Sequence, residues 1–115
     1  MTKDKYLDFC RSIGGAEVDQ PFESDFDTYV VRHVTNRKWF ALLMFHDNRW
    51  IVNLKCDPIE ADFLRKVYEG VFPAYHMNKT HWNSVALESD VPAEELERMT
   101  LSSFSLTDKK QHRKG

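Results

Sequence analysis

Two short segments of this 115-residue chain carry the side chains best suited to binding or chemistry. Tyr75-His76-Met77-Asn78-Lys79-Thr80-His81-Trp82-Asn83 crowds two imidazoles, two carboxamides, an ammonium group and two aromatic rings together without a glycine. Such a stretch is too polar for a core and too aromatic for an ordinary solvated loop. Tyr75 and Trp82 could stack on bases or sugars, or anchor a partner protein. Asn78 and Asn83 each offer a donor and an acceptor, and Lys79 can meet a phosphate. His76 and His81 add donors or, when protonated, charge. The competing reading is structural. In it Tyr75 and Trp82 pack in the core, the asparagines satisfy a tight loop's backbone, and Met77 is a packing residue.

The second segment is Asn53-Leu54-Lys55-Cys56-Asp57-Pro58. Lys55 falls where a strand passes into a helix, beside backbone amides that favour anions, so Lys55 and Lys79 could flank one phosphate. Alternatively, Lys55 is the solvent-side residue of its strand. Cys56 stands where a helix start can stabilise a thiolate, and with His76 or His81 it could act as a nucleophile. No oxyanion-hole motif or orienting acid accompanies it, and a buried cysteine packs as a small hydrophobe. A metal would have to use His76 and His81, with Cys56 or Asp57. Their i, i+5 spacing does not put the two imidazoles on one helical face, and the chain has no zinc-type cysteine pair. Neither catalysis nor a metal or other cofactor is expected.

The elements that position these segments follow from periodicity and punctuation. Tyr6, Phe9, Cys10 and Ile13 recur at helical spacing over Thr2–Ile13, and Gly14-Gly15 stop that helix. The acidic stretch 17–27 (Glu17, Asp19, Glu23, Asp25, Asp27) leads into three strands: Thr28–Val34, Arg37–Phe45 and Trp50–Lys55, with a turn at His46-Asp47-Asn48. Asp57-Pro58-Ile59-Glu60 is a capped helix start, and Ile59, Phe63, Leu64 and Val67 are read as the buried face of that helix. Val71–Ala74 reads as a short edge strand carrying Pro73, and His81–Leu87 as another strand. Ser89-Asp90-Val91-Pro92 opens a last helix with Leu96, Met99 and Ser103 inward. The predicted fold is α+β, a two-layer sandwich of antiparallel sheet with helices mainly on one face, in the order α-β-β-β-α-β-β-α. Residues 1–107 form one domain, and 108–115 a basic, flexible tail (Lys109, Lys110, Arg113, Lys114).

Bulk properties narrow the function classes. A mass of 13.6 kDa fits a single domain. Net charge is −2, from 16 basic and 18 acidic residues, which opposes strong non-specific nucleic-acid binding. A local positive face is still compatible with these numbers. No apolar run approaches the length of a membrane span. Cys10 and Cys56 make no disulfide framework, so a reduced cytoplasmic protein is expected.

Together, the LKCDP turn at 54–58 and the Tyr-His-Met-Asn-Lys-Thr-His-Trp-Asn stretch resemble the signature of the MmcQ/YjbR family of small bacterial proteins. The resemblance extends from Pro21-Phe22 through Phe40-Ala41-Leu42 to Leu106. It implies a fold compared with frataxin and with secretion chaperones, and a DNA-binding role with a double-wing arrangement. The wings here would be the two turns carrying Arg37, Lys38 and Arg49. Glu23, Asp25 and Asp27 likewise resemble the acidic iron-binding ridge of frataxins, although alternating acids also protect sheet edges. Three positions depart from the family pattern. Ala74 stands where Gly is common, Thr80 where a base is frequent, and Phe104 where Tyr is usual. The expected function is weak, largely sequence-independent DNA binding through Arg37, Lys38, Lys55, Tyr75, His76, Asn78, Lys79, His81 and Trp82. The alternative is a protein-interaction or chaperone-like module. The expected partners are DNA or a protein but no membrane, for a monomer or weak dimer.

Overall fold

Alternating apolar residues build a sheet whose two faces are covered differently. The computed structural model describes residues 1–25 and 27–108. The elements are α1 (Lys3–Arg11), β1 (Ala16–Asp19), β2 (Thr28–His33), β3 (Trp39–His46), β4 (Arg49–Lys55), α2 (Pro58–Val67), β5 (Val71–Pro73), β6 (Trp82–Ala86) and α3 (Ala93–Thr107). The strands form one antiparallel six-stranded sheet in the order β1-β2-β3-β4-β6-β5. The α+β class and the arrangement of helices about the sheet are as the sequence predicts. The structure adds β1 within the acidic lead-in. Its four residues are mostly half-buried, and charge masked them as a strand.

Val31, Ala41, Leu43, Val52, Leu54 and Val85 point to the helix side, where they pack with Tyr6, Leu7 and Cys10 of α1, Ala61 and Leu64 of α2, and Leu96 and Met99 of α3. A register shift at Val31/Arg32 leaves Phe40 without a partner in β2 and turns it to this same side. There it meets Phe104 edge-on, with ring centroids 4.9 Å apart. Phe104 also stacks on the buried His33 ring at 4.2 Å, so the family's tyrosine hydroxyl has no counterpart here. Ser103 ties α3 to the sheet: its hydroxyl donates to the Phe40 carbonyl at 2.6 Å and accepts from the Lys55 amide at 2.9 Å.

The β3–β4 connection falls within the expected His46-Asp47-Asn48 turn, but His46 belongs to β3 and only Asp47-Asn48 form the turn. Both residues adopt positive φ (56° and 66°), as a type I′ hairpin requires. Asp57 caps α2 by accepting from the Ile59 and Glu60 amides at 3.2 and 3.3 Å. The buried face predicted for α2 needs correction. Leu64 is buried with Ala61, but Ile59, Phe63 and Val67 are 83%, 61% and 48% exposed. The helix packs on β5 and β6 through Ala61 and Leu64, so Ile59, Phe63 and Val67 fall on the side turned away from the sheet. Among the described residues no helix is long and apolar enough to cross a membrane. The basic residues expected in the tail lie outside the described residues.

Gly70 marks a close approach between loops. Asp90 accepts from the Glu69 and Gly70 amides, both at 2.8 Å, which holds its carboxyl below the usual range. A Cβ on Gly70 would lie 2.7 Å from the Cβ of Ser89, whereas one on Gly14 would meet nothing within 4 Å. Gly70→Ala should therefore cost about 1–3 kcal/mol in urea unfolding, with Gly14→Ala staying within about 0.5 kcal/mol. Equal midpoints for the two variants would refute the close approach.

Candidate nucleic-acid interface

The face of the sheet away from the helices carries Val30, Leu42, Ile51, Asn53, Ser84 and Ala86, all buried. In the β4–β6 half, the segment after β5 folds back over this face and buries the polar pair Asn53 and Ser84, which are partners across the ladder. Ser84 Oγ donates to Asn53 Oδ1 at 2.5 Å. Asn53 Nδ2 donates to the Tyr75 carbonyl at 2.8 Å, and the Tyr75 amide donates to Ser84 Oγ at 3.0 Å. A second clamp holds the far end of the segment. Arg65 donates from Nε to the Asn83 carboxamide oxygen at 2.6 Å and from Nη2 to the carbonyls of Lys79 and Trp82. Asn83 in turn donates to the Ala61 carbonyl at 3.3 Å. Between the clamps, Asn78 Oδ1 accepts from the Thr80 and His81 amides at 2.9 and 3.3 Å. The positive φ of this segment falls on His76 (64°), so Ala74 needs none.

This folding-back creates an open cleft of about 210 Å³ lined by His46, Asp47, Arg49, Ile51, Phe72, Pro73, Ala74, Tyr75 and Lys79. Arg49 lies over the Phe72 ring at 4.8 Å. His46 stacks on Tyr75 at 3.7 Å, and His76 approaches the same ring at 4.0 Å. One imidazole stacks on the phenol and the other is tilted against it, so the Tyr75 ring is crowded on more than one side. Tyr75 can therefore offer its edge and hydroxyl to a ligand more readily than a ring face.

The structure gathers Tyr75 and Lys79 at this cleft, with His76 against the Tyr75 ring. Lys55 does not line it. It lies six residues from Arg49, about 20 Å along β4, on the same face by alternation. There it is the ladder partner of the half-buried Trp82. The amides beside Lys55 that could have bound an anion are already taken by Asp57. His81 is exposed, and its carbonyl accepts from the Cys56 amide at 2.8 Å. Arg37 and Lys38 stand on the β2–β3 turn, where Arg37 pairs with Glu17 at 3.3 Å. Sequence reasoning gives no site role to His46 or Arg65 and places Arg49 on a wing turn as a phosphate contact, not at a cleft. A readable signal existed for Arg49: with Lys55 it shares the parity of Ile51 and Asn53. The Arg65 clamp left no such signal.

Cys56 is buried against Glu60 and Asp57. Burial first, and those acids second, push its thiol up to about 11, which keeps it protonated near neutrality. Among the described residues no group of three or more His, Cys, Asp or Glu could hold a metal ion.

These features define a small α+β domain whose helix-free sheet face carries a loop-walled cleft with two cations. The chain belongs to the YjbR family, which its residues 11–106 match. It is 33% identical over 117 residues to the uncharacterised protein YyaQ of Bacillus subtilis (strain 168), covering 93% of this chain and 98% of that one. Identity to the uncharacterised protein YjbR of Escherichia coli (strain K12) is 30% over 104 residues, covering 90% of this chain and 85% of the relative. A crystal structure of a Pseudomonas syringae protein superposes with a TM-score of 0.85 at 34% identity, over 93% of this chain and 99% of that one. A Deinococcus radiodurans protein of known structure gives 0.81 at 31% identity, over 98% and 83%.

Two outcomes follow from this geometry. Asn53→Ala should cost about 1–3 kcal/mol and speed amide exchange at Tyr75, because buried partners lose their bonds. Unchanged exchange would show that the loop is held by other means. Cys56 should react with iodoacetamide at pH 7 more slowly than a free cysteine and accelerate as pH rises toward 11. A rate matching free cysteine at pH 7 would contradict its burial.

Proposed function

We propose that this protein binds DNA weakly and with little sequence preference, through the helix-free face of its sheet. The observation that supports this most is the distribution of unpaired cations. Among the described residues, Arg32, Arg37, Lys66 and Arg98 each pair with an acid. Arg49, Lys55 and Lys79 enter no such pair, and neither do Lys5, Lys38 and Arg65. Of these, Arg49 and Lys79 line the cleft on the helix-free face, and Lys55 shares that face by strand alternation. The ~20 Å from Arg49 to Lys55 spans about six steps of a DNA strand at 3.4 Å each.

Trp82, half-buried beside Lys55, is the ring available for stacking, while Tyr75 offers its edge. His76, Asn78 and His81 line the path between, and Lys38 extends it toward the β2–β3 turn. Asp47 at the cleft and Glu23, Asp25 and Asp27 in the β1–β2 loop confine the contact and keep it weak. The proposal includes no catalytic step. It places the protein in a reducing, cytoplasmic compartment, which suits the free thiols Cys10 and Cys56. A second reading, a protein-interaction or chaperone-like module without nucleic-acid binding, draws support from the apolar side chains exposed on α2.

Fluorescence anisotropy with duplex DNA separates the two. Neutralising three phosphates predicts a slope of about −2.7 in log K against log salt, a loss of about 40-fold between about 50 and 200 mM. Arg49→Ala/Lys55→Ala/Lys79→Ala should abolish both the binding and its salt dependence. No binding at low salt, or equal binding by the triple variant, would defeat the DNA reading.

A further inference from the structure

The outer face of α2 is an apolar feature that the proposed DNA contact leaves unused. Ile59, Phe63 and Val67, spaced i, i+4, i+8, form one ridge along the helix and are 83%, 61% and 48% exposed. Scattered apolar side chains on a surface are ordinary, but three in register on one helix form a stripe.

The charges around the stripe are ordered. Arg65 is turned to the sheet side in the loop clamp, and Glu60 pairs with Arg98 at 3.0 Å. The charges bordering the stripe are therefore Asp62 toward the start of α2 and Lys66 toward its end, one acid and one base. A stripe bordered by no net charge, with an acid beside its apolar ridge, does not suit nucleic acid or an anionic membrane. It suits a copy of itself. Two such helices laid antiparallel set the acidic end of each against the basic end of the other, whereas a parallel pairing sets like against like. Centred near Phe63, the antiparallel pairing brings the two Phe63 rings together and places Ile59 of each copy against Val67 of the other. Asp62 and Lys66 lie on one flank, and in an antiparallel pair that flank faces its own counterpart. Asp62 of one copy therefore meets Lys66 of the other. Both side chains are largely exposed (64% and 76%) and are tied only to each other within the helix, at 3.1 Å.

We propose that α2 is the docking surface for a second copy of this chain, paired antiparallel through Ile59, Phe63 and Val67 with reciprocal Asp62–Lys66 contacts. The stripe offers on the order of 400 Å² per copy, about half of the ~800 Å² per partner typical of stable complexes. The dimer is accordingly weak and forms at high local concentration. Because α2 lies on the helix side of the sheet, pairing leaves the helix-free face of both copies open.

Sedimentation equilibrium from about 10 µM to about 1 mM tests this. The weight-average mass should climb from 13.6 kDa toward twice that value. Phe63→Ser should raise Kd by at least about ten-fold. Asp62→Lys, which sets like charges together, should also weaken pairing, and Asp62→Lys/Lys66→Asp should restore it. All these positions are exposed, and far-UV circular dichroism checks that each variant remains folded. A wild type that stays at the monomer mass throughout overturns the proposal. So does pairing that Phe63→Ser leaves unchanged, or a double charge swap that fails to restore what the single one removed.

Discussion

The buried pair Asn53–Ser84 is the constraint on which the arrangement of the helix-free face depends. Both side chains are completely inaccessible, and they face each other across the β4–β6 ladder. One hydrogen bond between them leaves an amide group and a hydroxyl lone pair unmet, and each unmet buried group costs about 1–3 kcal/mol. The backbone of Tyr75 supplies the missing acceptor and donor together. The segment after β5 must therefore cross the sheet at this point. Apolar residues in place of the pair would bury just as well without fixing where the segment crosses. The polar pair thus gives position more than net stability.

The second clamp works on the same terms from the opposite side of the sheet. Arg65 reaches from α2 to the carbonyls of Lys79 and Trp82, while Asn83 bridges α2 and Arg65. Asn78 completes the loop by accepting from two of its amides. Except for Asn83, these bonds to the segment take backbone groups. The side chains of Tyr75, His76, Lys79 and His81 are thereby released outward. This is why so polar a stretch can be rigidly held and still face solvent. Of the structural reading of the signature segment, the asparagines do satisfy backbone groups, while Tyr75 and Trp82 are half-buried rather than packed in the core.

How much of this was legible in the sequence depended on whether the information was local. The Asp57 cap, the Asp47-Asn48 turn and the inward residues Leu96, Met99 and Ser103 are properties of neighbouring residues, and reading along the chain finds them. The apolar spacing of Ile59, Phe63 and Val67 was equally clear but was assigned to the wrong environment. Periodicity says which residues share a face, not what lies against it, and α2 packs on the sheet through Ala61 and Leu64 instead. β1 escaped notice because four residues flanked by acids carry too little apolar signal. The cleft pairs His46 with Tyr75 and Arg49 with Phe72, contacts between segments remote in sequence that only the fold brings together.

The sheet edges bear on how this protein can meet another chain. An open edge strand would be the simplest docking site, since its unpaired amides and carbonyls accept any extended segment. Both edges here are poor templates. β5 has three residues and ends in Pro73, which cannot donate. β1 has four, and its Glu17 and Asp19 are held in ion pairs with Arg37 and Arg32. Strand addition is thus disfavoured at both ends, and association falls to side-chain surfaces. Two stand out, with different physics. The helix-free face presents unpaired cations around a cleft, which favours a long anion whose counterions it can displace. The outer ridge of α2 presents apolar groups with balanced charge, which favours a surface of the same kind. Because they lie on opposite layers of the sandwich, occupation of one does not obstruct the other.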